Sequence, residues 1–422
     1  GPGVTAGEHR HAVSIADVAP TLLRLSGLAV PTGPPAMGGH DLFSTAGRGA
    51  DIYIETMYPR VMGWSGLTAL VEERWKVIVP EGSGSELYDL ANDPDERANA
   101  AGSRPEIVQA ASARLAGIAS AQIASAPAAA SAEAQERLRA LGYVGSASSP
   151  PPGGGTRGVN PAARIATWVA FEDAVERLNS GRAGQALAAL AALHKANPGA
   201  QVIATTYANA LTGQGRHRDA LAIYRRAVAE WPGESMLFHD LAVAAGRAGL
   251  PDEATRAEQA AIALDRKNAA AHNGLGLLLI EQGRAGEAAQ AFERASAADP
   301  SSAEYLANLG NAKRAVNDPR GAESAYRAAI AADPASANGL NGLGVLLVES
   351  GRASEAVALL ERATAADPGL WEARLNLGIA HQTAGNLNAA AAAYRAVLAA
   401  PPRFSRERQA ASELLASLDR KR

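Results

Sequence analysis

Apolar and polar positions follow two different rhythms along this chain. From about Thr167 to Phe404, leucine, alanine and aromatic residues return at every third or fourth position, the spacing that gathers side chains on one face of an α-helix. Before residue 145 the apolar runs are short and bounded by turn residues. There Asp51–Glu55, Leu67–Val71, Trp75–Val79 and Glu86–Leu90 predict strands, with Glu72-Glu73-Arg74 and Gly82-Ser83-Gly84 as turns. Ala12–Ile15 predicts a further strand. Asp17–Gly27 predicts a helix with Pro20 early and Gly27 just past its end, and Ile107–Ile118 a second helix. The expected fold class is a small α+β unit, an antiparallel sheet with helices, followed by an all-α solenoid of seven helical hairpins and a capping helix.

The helical half repeats itself. Asn197-Pro198, Trp231-Pro232, Asp265-Arg266, Asp299-Pro300, Asp333-Pro334, Asp367-Pro368 and Pro401-Pro402 recur every 34 residues. Gly181, Gly215, Gly249, Gly283, Asn317, Gly351 and Gly385 keep the same period, as do Ala186, Ala220, Ala254, Ala288, Ala322, Ala356 and Ala390. Each series has a physical job. The glycine follows a helix where the chain turns left-handed, and Asn317 is the residue type that next best tolerates that turn. The proline stops the second helix of each pair, because it lacks a donor and clashes with the preceding turn. The alanine lets two helices approach closely. Between these marks Leu275, Leu279 and Phe292 predict a buried stripe, with Gly276 permitting the helix crossing; Leu309-Gly310 with Tyr326, Leu343-Gly344 with Leu360, and Leu377-Gly378 with Tyr394 repeat the theme.

This pattern resembles the tetratricopeptide repeat over residues 167–404, with Leu-Gly, Ala, aromatic, Ala and Pro positions largely filled. The first repeat departs, with Asp173-Ala174 for Leu-Gly, and the third carries Glu258 at the aromatic and Arg266 at the proline position. Residues 405–420 read as a polar-faced cap, which solenoid ends require. The resemblance implies a partner protein or peptide held on a concave surface lined by the first helix of each pair. Helical phase nominates Asn273, Leu277, Ile280, Asn311, Arg314, Val345, Val348, Ile379 and Gln382 as groove residues, amides and an arginine for backbone contacts beside aliphatic pockets.

The first 145 residues carry a second resemblance. Asp17-Val18-Ala19-Pro20-Thr21-Leu22-Leu23, Gly27, Pro31, Gly39-His40-Asp41-Leu42 and Tyr53-Ile54-Glu55-Thr56-Met57-Tyr58-Pro59-Arg60 resemble the C-terminal subdomain of sulfatase and alkaline phosphatase-like hydrolases. So does Trp75-Lys76 followed by Glu86-Leu87-Tyr88-Asp89-Leu90, Asp93-Pro94, Glu96 and Asn99. Pro2-Gly3-Val4 fits the strand exit before that region, and Glu136–Gly145 resembles the junction in bacterial members that carry repeats, so the chain is expected to be a fragment. The resemblance implies a parent that hydrolyses sulfate or phosphate esters with a divalent metal, calcium or zinc, in an extracytoplasmic or periplasmic setting. It also implies that the metal ligands and nucleophile belong to a larger preceding part, so this chain is expected to hold no catalytic residue, metal or cofactor of its own. Glu55, Tyr58, Arg60 and Trp64 are substrate-side candidates on a loop. The alternative is a pure scaffold whose first unit is structural only.

The remaining signals bear on these readings one at a time. His9 and His11 would share a strand face as metal ligands can, but no third ligand is evident. His40-Asp41 reads as a turn, and Asp89, Asp93 and Glu96 as turn-capping residues. A net charge of −3 with both signs interspersed offers no footprint for nucleic acid. The absence of cysteine excludes disulfides, thiolate zinc and a cysteine nucleophile, and no apolar run is long enough for a membrane span. Pro150–Pro152 followed by Gly153–Gly155 predicts a linker over residues 146–160, between a unit at 1–145 and the solenoid at 161–422.

Overall fold

The structure, a computed structural model, describes residues 52–56, 62, 64–82, 84–124 and 159–419. The predicted strand Ala12–Ile15, helix Asp17–Gly27, His9, His11, His40, Asp41, Tyr58, Arg60, the junction Glu136–Gly145 and nearly all of the linker lie outside the described residues. Two compact units divide the chain, residues 1–210 and 211–422.

The first unit opens on a four-stranded antiparallel meander in chain order: β1 (Ile52–Thr56), β2 (Leu67–Glu72), β3 (Trp75–Pro80) and β4 (Glu86–Asp89). Ile52 lies opposite Val71, Leu67 opposite Pro80, and Trp75 opposite both Glu72 and Asp89. The Glu73-Arg74 turn joining β2 to β3 puts Glu73 at φ 48, the left-handed geometry that a tight hairpin demands. Helix α1 (Pro105–Ala124) starts on a proline, as N1 favours, and sets Ala111 and Leu115 against Leu70, Val77 and Leu87 to form the sheet's core.

The residues between β1 and β2 do something the sequence reading did not foresee. Met62 and Trp64 pack in one cluster with Phe171, Ala174, Leu190, Ala200 and Ile203. Phe171 and Ala174 come from α2 (Ile165–Asn179), Leu190 from α3 (Ala183–Ala196), Ile203 from α4 (Gln201–Gly213) and Ala200 from the turn just before it. Ser65 donates its backbone N–H to the Val159 carbonyl at 3.2 Å, and Asn160 Nδ2 donates to Glu86 Oε1 at 2.7 Å. The sheet side of this unit therefore covers the apolar face of the first hairpin. Trp64, expected on a loop facing substrate, is only 8% exposed and spends its ring on this contact.

Beyond α4, successive helix pairs continue in chain order as α5 (His217–Glu230), α6 (Ser235–Arg247) with α7 (Pro251–Leu264), α8 (Ala269–Glu281) with α9 (Ala285–Ala298), α10 (Ala303–Ala315) with α11 (Pro319–Ala332), α12 (Ala337–Glu349) with α13 (Ala353–Ala366), and α14 (Trp371–Thr383) with α15 (Leu387–Leu398). The turn residues behave as their period predicts. Gly283 sits at φ 75, Gly351 at φ 75 and Asn317 at φ 60. After Gly283 the Arg284 N–H returns to the Leu279 carbonyl at 2.8 Å, the six-to-one bond that closes a helix C-terminus around a left-handed residue. Ala288, Ala322, Ala356 and Ala390 are fully buried where the paired helices touch. The final helix α16 (Ser405–Asp419) buries Ala411 and Leu418 against Ala390, Ala391, Tyr394 and Val397, so the predicted cap is present.

Candidate protein-interaction face

Four first helices of the pairs in the second unit, α8, α10, α12 and α14, carry the predicted groove residues. Side-chain caps fix where these helices start. Asn268 accepts from the Ala271 N–H, Ser302 from Tyr305 and Ser336 from Gly339, satisfying donors that a helix N-terminus leaves open. Glycine sets how closely each partner helix approaches. A Cβ on Gly276 would stand 2.6 Å from the Phe292 ring, one on Gly310 2.5 Å from the Tyr326 ring and one on Gly344 2.6 Å from Leu360.

Against this frame the nine candidates divide. Leu277 and Ile280 stand on α8 with 43% and 39% of their surfaces in solvent, a costly display for aliphatic side chains unless something covers them. Val345 and Val348 are half-buried, and Val348 leans on the core formed by Tyr326, Leu343 and Leu360. Ile379 packs against Tyr394 and Val397. The polar candidates have partners in the chain. Asn311 Oδ1 accepts from the Tyr326 hydroxyl at 2.7 Å, Gln382 Oε1 from the Tyr394 hydroxyl at 2.7 Å, and Arg314 donates to Glu349 Oε1 at 2.8 Å. Burial first, with no countering charge, pushes the Tyr394 phenol up to about 12, so it stays a donor at neutral pH. Asn273 is buried and accepts from Asn308 Nδ2 at 2.9 Å.

That last bond has a twin. Asn376 Nδ2 donates to Asn341 Oδ1 at 2.9 Å, so two inter-repeat amide pairs, Asn273–Asn308 between α8 and α10 and Asn341–Asn376 between α12 and α14, lie two repeats apart. Asn308, Asn341 and Asn376 were absent from the sequence reading. The signal was there but displaced, because each pair is 35 residues apart while the repeat is 34. Within each pair one hydrogen bond is made. The Asn308 and Asn376 carbonyl oxygens and the Asn273 and Asn341 amide groups have no side-chain partner among the described residues.

Of the four substrate-side candidates in the first unit, Trp64 is buried as described, Glu55 lies on β1, and Tyr58 and Arg60 lie outside the described residues. The turn carboxylates cap as expected. Asp93 accepts from the Arg97 and Ala98 N–H groups at 3.0 and 2.8 Å, which, led by the Arg97 bond, holds its carboxyl below the usual range. Asn99 Oδ1 accepts from the Leu87 N–H at 3.1 Å, and Glu96 takes the Lys76 ammonium at 2.7 Å. Among the described residues no group of three His, Asp or Glu side chains is placed to hold a metal. No helix among them is long and apolar enough to cross a membrane.

Comparison with known proteins gives the following. The chain is similar to a crystal structure of MamA protein at 23% identity, covering 39% of this chain and 90% of that one with a TM-score of 0.35. It is similar to a tetratricopeptide repeat protein from Parabacteroides merdae at 16% identity, covering 59% and 98% with a TM-score of 0.48. It is also similar to YrrB, a TPR protein with an unusual peptide-binding site, at 20% identity, covering 44% and 96% with a TM-score of 0.36. No curated protein matches. The tetratricopeptide repeat profile matches residues 172–235, 239–303, 308–370 and 342–405. It begins at residue 172, so the hydrolase resemblance of residues 1–145 draws no support from it. With the profile spanning more than half of its residues, the chain belongs to the tetratricopeptide repeat family.

Proposed function

We propose that this chain is an interaction scaffold whose α8, α10, α12 and α14 face takes an extended, largely uncharged segment of a partner protein. The carrying observation is the pair of inter-repeat amide couples on these four helices, together with exposed Leu277 and Ile280 on α8. A peptide backbone presents alternating donors and acceptors, which primary amides match in both senses. Solvent-exposed aliphatic side chains on α8 offer shallow pockets for small apolar side chains. The one arginine on this face, Arg314, is already neutralised by Glu349, so the face selects for neither sign of charge. Membership of a family of protein-binding repeats supports the same reading.

The first unit fits a structural role in this scheme. Its hydrolase-like motif residues have local work: Asn99 and Asp93 tie their turns, Lys76 pairs with Glu96, and the Met62–Trp64 segment covers the first hairpin. The hydrolase reading rests on motif spelling alone, and its test is ester hydrolysis, with calcium or zinc supplied, by a chain in which these residues follow the expected catalytic part.

Selection of displayed twelve-residue peptides on the full chain tests the scaffold reading. The expected winners are neutral and aliphatic, and fluorescence anisotropy of a labelled winner should lose at least tenfold in affinity with Leu277→Glu or with Asn376→Ala. Winners that bind both variants as well as the parent would refute the proposed face.

A further inference from the structure

The third hairpin carries ionisable groups where its neighbours carry rings or leucine. Phe292, Tyr326, Leu360 and Tyr394 occupy one repeat position; in α7 that position is Glu258, with 1% of its surface exposed. Both of its carboxylate oxygens lie 3.1 Å from His239 Nδ1 on α6. The next pair makes room for it, since a Cβ on Gly274 of α8 would collide with the Glu258 carboxylate. The neighbourhood is polar in a way the other hairpins are not. Ser235 Oγ donates to the Ala261 carbonyl at 2.8 Å, and Asn268 Nδ2 donates to Ser235 Oγ at 2.8 Å.

We propose that the His239–Glu258 pair is a proton-operated latch of the third hairpin: one proton held between the two buried groups fastens α6 to α7, and its loss lets this hairpin open locally. Closed, the pair holds one proton, either as imidazolium with carboxylate or as imidazole with carboxylic acid; opening in neutral water releases that proton to solvent. The charged group acting on both members of the pair is Asp240, which follows His239 on α6; α5 contributes Tyr224 beside Asp240, and from α8 the His272 Nε2 is engaged with the Arg266 carbonyl at 3.0 Å.

All three shifts carry the same sign. Burial raises Glu258, with His239 pulling the other way. Burial opposes protonation of His239, yet the hydrogen bond and charge of Glu258, aided by Asp240, outweigh it and hold the imidazole above its usual value. Burial pushes Asp240 up to about 6. The pair's shared proton and the Asp240 proton are therefore held more tightly in the closed hairpin than in the open one, so stability falls as pH rises through the range where they leave. Asp240 acts between its ordinary value and about 6. The pair acts from the ordinary histidine value, about 6.5, upward.

Hydrogen exchange of the full chain, followed by mass spectrometry from pH 5.5 to 8.5 and corrected for intrinsic rates, tests the latch. Peptides from α6 and α7 should lose protection with rising pH, approaching about tenfold per pH unit for one released proton, while α12 and α13 hold steady. The double variant His239→Gln/Glu258→Gln keeps hydrogen-bonding capacity but removes both titrating side chains of the pair, and should abolish the loss of protection above about pH 6.5 in α6 and α7; either single variant leaves the other group to titrate. Protection in the parent that is flat across this range, or that falls equally in the double variant, would overturn the proposal. Should the double variant prove unfolded, the contrast between α6–α7 and α12–α13 in the parent decides it alone.

Discussion

Tyr326 offers the sharpest test of how these hairpins hold together. Its ring is fully buried between two glycines: Gly310 on its own partner helix, and Gly342 on the first helix of the next pair. A Cβ on Gly310 would come within 2.5 Å of two ring carbons. The ring has little freedom to retreat, since Gly342 closes the other side and its hydroxyl is tied to Asn311. Gly310→Ala therefore combines two opposed effects. Overpacking a rigid site costs ~1–3 kcal/mol, and the tight backing places this site at the upper end. Alanine in a helix interior returns about 1 kcal/mol relative to glycine. The net expectation is a loss of ~2 kcal/mol. Gly117→Ala is the control, because Gly117 is exposed within α1 with nothing near its missing Cβ, and it should stabilise by about 1 kcal/mol. Urea unfolding followed by far-ultraviolet circular dichroism, with hydrogen exchange of α10 and α11 to localise the effect, measures both. In a Tyr326→Ala background the obstruction is gone, and Gly310→Ala should turn stabilising, a departure from additivity that only direct contact produces. A Gly310→Ala chain as stable as the Gly117→Ala control would mean the ring has room, and the close-approach argument would fail for every Leu-Gly pair in the array.

Two further expectations follow from single residues. Trp64→Ala should remove ~3–5 kcal/mol of buried packing from the first hairpin, seen as faster proteolysis and exchange of α2 and α3; unchanged protection there would show that the contact is incidental. Asn317→Ala places an ordinary side chain at φ 60 and should cost about 1 kcal/mol in urea unfolding, whereas Asn317→Gly should be neutral or mildly stabilising; equal stability of the two would contradict the left-handed strain.

Much of the fold was legible because its punctuation is a matter of backbone chemistry. A left-handed residue after each first helix and a proline after every second helix but the third pair's are constraints that few amino acids meet, so Gly283, Asn317 and Pro334 announce themselves. The site was harder to read. The amide pairs escaped because Asn308 and Asn376 stand one residue off the 34-residue register, a shift that matters only once adjacent helices lie side by side. Glu258 was visible as a departure from the pattern, but its partner was not, since His239 meets it across the hairpin, 19 residues away. Trp64 was misplaced for a different reason. A segment without periodicity reads as a loop, and only the exposed apolar end of the first hairpin explains why its ring is buried. Leu277 and Ile280, nominated for the groove by helical phase alone, keep 43% and 39% of their surfaces in solvent.

The covers at the two extremes of the repeat array have an evolutionary consequence. Phe171 and Leu190 are roofed by Met62 and Trp64, while Tyr394 and Val397 are roofed by α16. Neither lid is itself a repeat, and each rests on helices of its own unit. A duplication or deletion of one whole 34-residue rung within the second unit, among α6 to α13, would therefore leave α16 seated on the same α14–α15 pair. That unit is free to lengthen or shorten over generations without baring the apolar end that α16 covers.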